Sequence, residues 1–211
     1  MILTIGHTKG GVGKTTLAVN LTILRAKTHA VLLVDGDEQS SSLTFTSLRG
    51  QQRSPLDYTA VALTGAAIRQ QVPKLAPNYQ DIIIDAGGRD SAGFRAALTV
   101  SDLLLIPLPP RSLDLWALDT VAELVAQAQS FRPQLRALVV LSLADSQGQE
   151  NAAARALLEE YPFTILPSMI VRRKAYADAI SHGLGVGELK PINSKALAEV
   201  TQLTASVWSE G

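Results

Sequence analysis

The chain has 211 residues, 46% of them hydrophobic, with 19 Lys and Arg against 19 Asp and Glu and no cysteine. That length furnishes one full core or at most two small ones, the apolar fraction argues against disorder, and a net charge of zero leaves no global field to draw in nucleic acid, so such binding needs a local patch. Disulfide scaffolds, thiolate metal sites and cysteine nucleophiles are excluded, no apolar run reaches the ~20 residues that span a bilayer, and no basic region with a cleavable apolar segment opens the chain, which predicts a cytoplasmic protein.

Residues 2–6 read as a buried strand, followed directly by His7-Thr8-Lys9-Gly10-Gly11-Val12-Gly13-Lys14-Thr15-Thr16. Leu17, Leu21 and Leu24 then recur at helical spacing, so the glycine-rich segment joins a strand to a helix. A phosphate site requires that context. Glycines let successive backbone N–H groups curl around phosphate oxygens without Cβ clashes, and the N-terminus of the next helix adds its dipole. The candidate nucleotide-binding residues are Lys9, Gly10, Gly11, Val12, Gly13, Lys14, Thr15 and Thr16. Within them Lys14 reaches the β- and γ-phosphates and the Thr15 hydroxyl ligates Mg²⁺. Thr8 stands where the standard pattern has its first glycine.

The next apolar run, residues 30–35, leads into Asp35-Gly36-Asp37-Glu38-Gln39. Carboxylates at the C-terminal end of a strand lie where open α/β sheets bind ligands, and alternate ones suit a hydrated Mg²⁺ and an attacking water, though the same residues also make ordinary turns. Residues 49–55, Arg-Gly-Gln-Gln-Arg-Ser-Pro, predict a surface loop. Residues 81–85 form an apolar strand ending in Asp85, the physical form of a Walker B element, in which a buried strand fixes a carboxylate beside the Mg²⁺ water shell. Ala86-Gly87-Gly88-Arg89 follows as a mobile-looking loop, in which Arg89 suits a phosphate or partner contact and equally a solvated position.

Residues 102–107 predict another strand, with Pro107, Pro109 and Pro110 as a stiff rim that terminates its ladder. Asp114 suits the N-cap of a helix to about Ser130, with Leu118, Val121, Leu124, Val125 and Ala128 on its apolar face. Residues 136–143 and 163–166 read as further strands, and Leu197, Val200, Leu203 and Val207 mark a last helix. Strand–helix alternation without polar strand faces predicts an α/β fold with a mostly parallel, doubly wound sheet of the P-loop NTPase type, in one domain over residues 1–211.

The segment Lys9-Gly10-Gly11-Val12-Gly13-Lys14-Thr15 resembles the deviant phosphate loop of the ParA/MinD family of ATPases, most nearly the small ParF-like plasmid partition ATPases. The resemblance implies ATP and Mg²⁺ as cofactors. It also implies that Lys9 crosses a dimer interface to the partner's nucleotide, that Asp37 orients or activates the hydrolytic water, and that Asp35 supports a metal site shared with Thr15 and Asp85. Lys9, Lys14 and Asp37 are then the catalytic set, and residues 86–89 a switch that senses the γ-phosphate. Glu38 replaces the proline of the family's Asp-x-Asp-Pro-Gln, and Leu141-Ser142-Leu143-Ala144-Asp145 lacks the family's base-side Asn or Thr. Adenine is therefore implied without a side chain to recognise it.

By the same resemblance Arg172, Arg173 and Lys174, the densest positive run in the chain, are the DNA-binding candidates, with Lys190 and Lys195 extending the patch. Such phosphate contacts are sequence-independent and salt-sensitive. A membrane-bound relative of the MinD kind needs cations flanking its last apolar helix. Here no Lys or Arg follows Lys195, while Glu199 and Glu210 do, so that helix is expected to pack on the sheet with Trp208 at the core edge and no membrane partner. Iron–sulfur relatives are excluded by the missing cysteines. Because the chain opens on the phosphate-loop strand, an N-terminal helix-turn-helix for operator reading is not expected.

The implied protein is an ATP-dependent homodimer, cytoplasmic and nucleoid-associated. It binds DNA nonspecifically and meets a centromere-binding adaptor of the ParB or ParG kind that stimulates slow hydrolysis during plasmid or chromosome partition. Two alternatives stay open. One is the same switch positioning a secretion, conjugation or polysaccharide apparatus; the other is a dethiobiotin-synthetase-like metabolic enzyme, for which the sequence offers no convergent set of substrate-binding groups.

Overall fold

The computed structural model describes residues 1–88, 92–112 and 115–209. Among these, β1 (Ile2–Ile5), β2 (Val31–Asp35), β3 (Thr59–Ala62), β4 (Asp81–Asp85), β5 (Leu103–Leu108), β6 (Arg136–Ala144) and β7 (Thr164–Val171) make one sheet in the order β3-β2-β4-β1-β5-β6-β7. Every neighbouring pair is parallel. Strand order reverses beside the central β1, so its C-terminal end opens on the crevice where doubly wound sheets take ligands.

Both faces of the sheet are covered, by α1 (Lys14–Ala26), α2 (Ser41–Gln52), α7 (Lys174–Ser181) and α8 (Ser194–Ser209) on one side and by α3 (Ala66–Leu75), α4 (Ala92–Val100), α5 (Leu115–Gln129) and α6 (Gln149–Leu158) on the other. Successive strand residues divide between the two cores. In β2, Val31 and Leu33 pack with α1 and α8, while Leu32 and Val34 pack with α3 and α4. Such strands have no polar face, which is why they read as continuous apolar runs.

The last helix packs as expected. Val200, Leu203 and Val207 are fully buried against the sheet. Trp208 closes the core edge: its Nε1 donates to Asp81 Oδ1 at 2.9 Å, and the Arg25 guanidinium lies 4.7 Å from the ring centroid while its Nε donates to Asp81 Oδ2.

Four features depart from the sequence reading. β3 escapes it, because this edge strand is short and only half covered, its apolar residues Ala60, Val61 and Ala62 being small and partly exposed. β7 continues past residue 166 to Val171 through Pro167, which is tolerated because β7 is an edge strand and its pairing with β6 shifts register there. The predicted loop at residues 49–55 is corrected: residues 49–52 are the last turn of α2, and Arg49 is fully buried. Its guanidinium donates to both carboxylate oxygens of Glu188, at 2.7 and 3.0 Å, and to the Gly183 carbonyl at 3.2 Å. Pro107 likewise lies within β5, in register with Val140, rather than ending the ladder.

Candidate active site

The phosphate loop leaves β1 and turns into α1 at Gly13. Gly11 and Gly13 hold φ of 73° and 95°, a conformation that side-chain-bearing residues seldom adopt. A Cβ at Gly10, Gly11 or Gly13 would meet nothing within 4 Å, so the concave side of the loop is open. The loop is also braced from outside. Ser142 Oγ, at the end of β6, donates to the Val12 carbonyl at 2.8 Å, and the Lys9 N–H donates to His7 Nδ1 at 2.9 Å.

Lys14 is 8% exposed and its Nζ donates to the Lys9 carbonyl at 2.9 Å. Burial pushes its pKa below the ordinary lysine value, against the opposing pull of Asp85 and Asp37. A buried ammonium held by a carbonyl, beside a loop of open backbone N–H groups, is suited to an anion.

On the other side of the crevice, Thr15 Oγ1 donates to Asp85 Oδ2 at 2.8 Å. Burial, joined by the neighbouring Asp35 and Asp37, raises the Asp85 pKa to about 7 against the opposing Thr15 hydrogen bond and Lys14 charge. Two oxygens already together, one on a carboxyl that its surroundings discourage from ionising, fit a divalent cation that restores the charge. Among the described residues no group of three or more His, Cys, Asp or Glu side chains makes a metal cage. Mg²⁺ needs none, since it is usually held by one or two protein oxygens together with substrate phosphates and water.

An acid whose folded pKa is raised costs stability once it ionises. In nucleotide-free protein, the Asp85 penalty is absent below its ordinary value of 3.8 and grows as pH rises towards about 7. Asp85→Asn is therefore expected to raise the nucleotide-free Tm at pH 8 by several degrees, an effect that vanishes near pH 4; equal melting of the two proteins across that range contradicts it.

Asp35 and Asp37 part company in the structure. Asp35 is fully buried, and its oxygens accept from the Asp37 N–H at 3.1 Å and the Leu43 N–H at 2.9 Å. It thus braces the turn into α2. Asp37 lines the crevice with Glu38 and Gln39, and an ideal Cβ at Gly87 lies 3.3 Å from its carboxyl carbon. Gly88 comes as close to Lys14, 3.2 Å from Nζ to its ideal Cβ position. Both candidate switch segments therefore meet over the phosphate loop.

Together they enclose an open cavity of about 990 Å³ lined by the loop, Asp37, Gly87, Gly88 and Leu143, among others. A cavity of about 160 Å³ shares Gly13, Thr16 and Leu143 with it and is otherwise walled by side chains that include Ile170, Arg173 and Tyr176. Leu143 falls in the segment where the family's base-side Asn or Thr is missing, and its side-chain type alone does not mark it as a site residue. Its φ of 50° is a strained value for a branched residue and marks the junction of the two cavities.

The three cations of the predicted basic run do not share one exposed face. Arg172 and Lys174 are exposed, whereas Arg173 turns inward to Glu199. Lys190 and Lys195 are exposed. Arg89 and Asp114 lie outside the described residues.

Comparison with known proteins follows the same lines. The CobQ/CobB/MinD/ParA nucleotide binding domain family matches residues 3–186. The chain is 25% identical over 206 residues to the maintenance of carboxysome distribution protein A of Halothiobacillus neapolitanus, covering 97% of this chain and 95% of that one. Protein ParA of Rhizobium radiobacter is 28% identical over 199 residues, covering 92% of this chain and 87% of its own length. Among solved structures, a Cyanothece McdA variant in complex with ATP has the same fold, with a TM-score of 0.80 at 18% identity over 99% of this chain and 96% of that one.

Proposed function

Because the chain belongs to the CobQ/CobB/MinD/ParA nucleotide-binding family and is a P-loop ATPase of the ParA/MinD type working with ATP and Mg²⁺, we propose that it is an ATP-dependent dimerisation switch that uses DNA as a surface and drives DNA partition. One observation carries this reading: Lys14, Thr15 and Asp37 line a single open crevice, Asp85 lies buried behind it in hydrogen bond with Thr15, and Lys14 is tied to the Lys9 carbonyl.

On binding, Lys14 Nζ exchanges the Lys9 carbonyl for phosphate oxygens, and the backbone N–H groups of the loop close around the remaining ones. Thr15 and Asp85 would hold Mg²⁺, which would supply neutralising charge at the phosphates. Asp37, on a turn braced by Asp35, orients the attacking water. The Lys9 side chain reaches the nucleotide of a second protomer. Its backbone is fixed at both ends, by His7 Nδ1 and by Lys14, so occupancy of the loop is felt at Lys9. Trp116, 84% exposed, lies beside Ala117, whose carbonyl accepts the Thr8 hydroxyl, and it offers apolar surface for the second protomer to cover.

The DNA contacts fall to Arg172 and Lys174. A dimer doubles them, and affinity for a polyanion rises steeply with each phosphate neutralised. A centromere-binding adaptor then stimulates hydrolysis and releases the dimer, which places the protein in the cytoplasm on the nucleoid. Among the described residues no helix is long and apolar enough to cross a membrane.

Asp37→Ala is expected to keep ATP binding and ATP-dependent retention on DNA while turnover falls by about 100-fold or more. Unchanged turnover removes Asp37 from its role. Failure of wild type to be retained on DNA in ATP removes the DNA surface from the proposal.

A second reading keeps the switch and changes the cargo. The nearly end-to-end match to the maintenance of carboxysome distribution protein A, 97% of this chain and 95% of the relative, favours a carboxysome-like cargo. Turnover stimulated by a cargo-bound adaptor without centromere DNA selects this reading; stimulation that requires centromere DNA selects partition.

A further inference from the structure

Between β1 and the first glycine of the phosphate loop the chain has little freedom up to His7 and more after it. The Gly6 N–H donates to the Leu105 carbonyl at 3.1 Å, continuing the pairing of β1 with β5, and a Cβ at Gly6 would run into the Phe94 ring of α4. His7 starts from that fixed point and is 1% exposed. Beyond Lys9, by contrast, Gly10 and Gly11 have open space where a Cβ would stand. Lys9 is therefore the joint between a pinned segment and one that its glycines leave soft.

A side chain's direction follows from the two dihedrals at its Cα, and these are set by the flanking peptide planes. At Lys9 a bond holds each plane: the N–H donates to His7 Nδ1 at 2.9 Å, and the carbonyl accepts from Lys14 Nζ at 2.9 Å. The second bond is the one given up when Lys14 turns to phosphate. The first persists. Because Nδ1 accepts, the His7 ring is neutral with its proton on Nε2. We infer that His7 is a positioning residue whose Nδ1 aims the Lys9 side chain at the nucleotide of a second protomer once Lys14 has left the Lys9 carbonyl. This rests on the reading in which Lys9 crosses between protomers. The imidazole does here what an Asn or Asp side chain does in a turn, bonding a backbone N–H two residues on. Its contribution is the place of an acceptor, not volume or charge.

The test uses the full chain with ATP and Mg²⁺ and separates two quantities: ATP affinity at a protein concentration where wild type is monomeric, and the dimer dissociation constant at saturating ATP. Asn carries an oxygen on Cγ, where His carries Nδ1, whereas Gln carries its oxygen one bond further out and is closer to His in size. His7→Asn is expected to dimerise within about 3-fold of wild type and His7→Gln about 10-fold or more weaker, the cost of leaving one backbone residue unfixed, with ATP affinity within about 2-fold of wild type in both. Gln matching Asn in dimerisation, Asn falling as far as Gln, or ATP affinity falling in step with dimerisation overturns the inference. Should either variant fail to fold, wild type alone decides: ¹⁵N NMR of the His7 ring is expected to show Nδ1 without a proton before and after ATP binds, and a proton on Nδ1 in the ATP-bound state overturns the inference. If wild type stays monomeric with ATP bound, or Lys9→Ala dimerises as well as wild type, the reading of Lys9 falls and the inference with it. If wild type dimerises, Lys9→Ala does not, and His7→Gln behaves as wild type, His7 alone loses its role.

Discussion

Lys14→Met is expected to abolish ATP binding at micromolar protein while leaving the nucleotide-free fold at least as stable as wild type. In the nucleotide-free site the ammonium is buried, and burial lowers its pKa, so its present surroundings do not favour the charge. Its hydrogen bond runs to a carbonyl, and an apolar side chain of similar length gives that bond up at small cost. Bound phosphates reverse the balance. Charge-assisted bonds of about 1.5–3 kcal/mol each make their loss worth about 100-fold in affinity or more. The lowered pKa also fixes the sign of the pH effect. Only the protonated amine draws phosphate, so wild-type affinity is expected to fall as pH rises through that lowered value, sooner than an ordinary lysine predicts. Calorimetric titration of ATP, with parallel thermal melts, checks both parts. Tight binding by Lys14→Met, or a fold that melts far below wild type, contradicts the assignment.

Arg49→Ala carries the largest expected loss of stability. The guanidinium is wholly enclosed, bonds both oxygens of Glu188, and joins α2 to residues 183–188 beyond α7. Removing it leaves a half-buried carboxylate without its main partner and a cavity at a helix junction. Breaking a buried pair of this kind costs about 3–5 kcal/mol, which for a chain of this size lowers Tm by roughly 6–20 °C. Burial pushes the Glu188 pKa up, but the Arg49 hydrogen bonds, the Gly185 N–H and the charges of Arg49 and Arg53 outweigh it and hold it below the ordinary value. A lowered carboxyl stabilises above its unfolded pKa and loses that contribution as pH falls through its folded one. Wild type is therefore expected to lose stability on acidification below about pH 4.5, and Glu188→Gln to lose much of that dependence. A variant Arg49→Ala that melts with wild type contradicts the account of this junction.

These two residues also mark what the sequence discloses and what it hides. Lys14 is legible because phosphate chemistry demands glycines, a lysine and a hydroxyl in fixed order between a strand and a helix, and because strands buried on both faces read as plain apolar runs. Arg49 is not, since a cation among Gln, Gly and Pro looks the same on paper whether it meets water or a carboxylate 139 residues away. Arg173 is obscured similarly: three consecutive cations carry no mark of which turns inward, and the answer lies in Glu199, on another helix. β3 is hidden by its half exposure, and the continuation of β7 by Pro167, a residue that only an edge strand accommodates. Asp35 and Asp37 both stand out in the sequence, but only the geometry separates the one that braces the turn from the one that faces the crevice.

The central claim is that ATP closes two protomers over Lys9. Mass measured in solution with ATP and Mg²⁺, for wild type and Lys9→Ala, tests it most directly. Wild type is expected to double from its monomer mass of 22.4 kDa, while Lys9→Ala binds ATP and stays monomeric. Equal dimerisation of the two proteins, or wild type remaining monomeric with ATP bound, contradicts the claim.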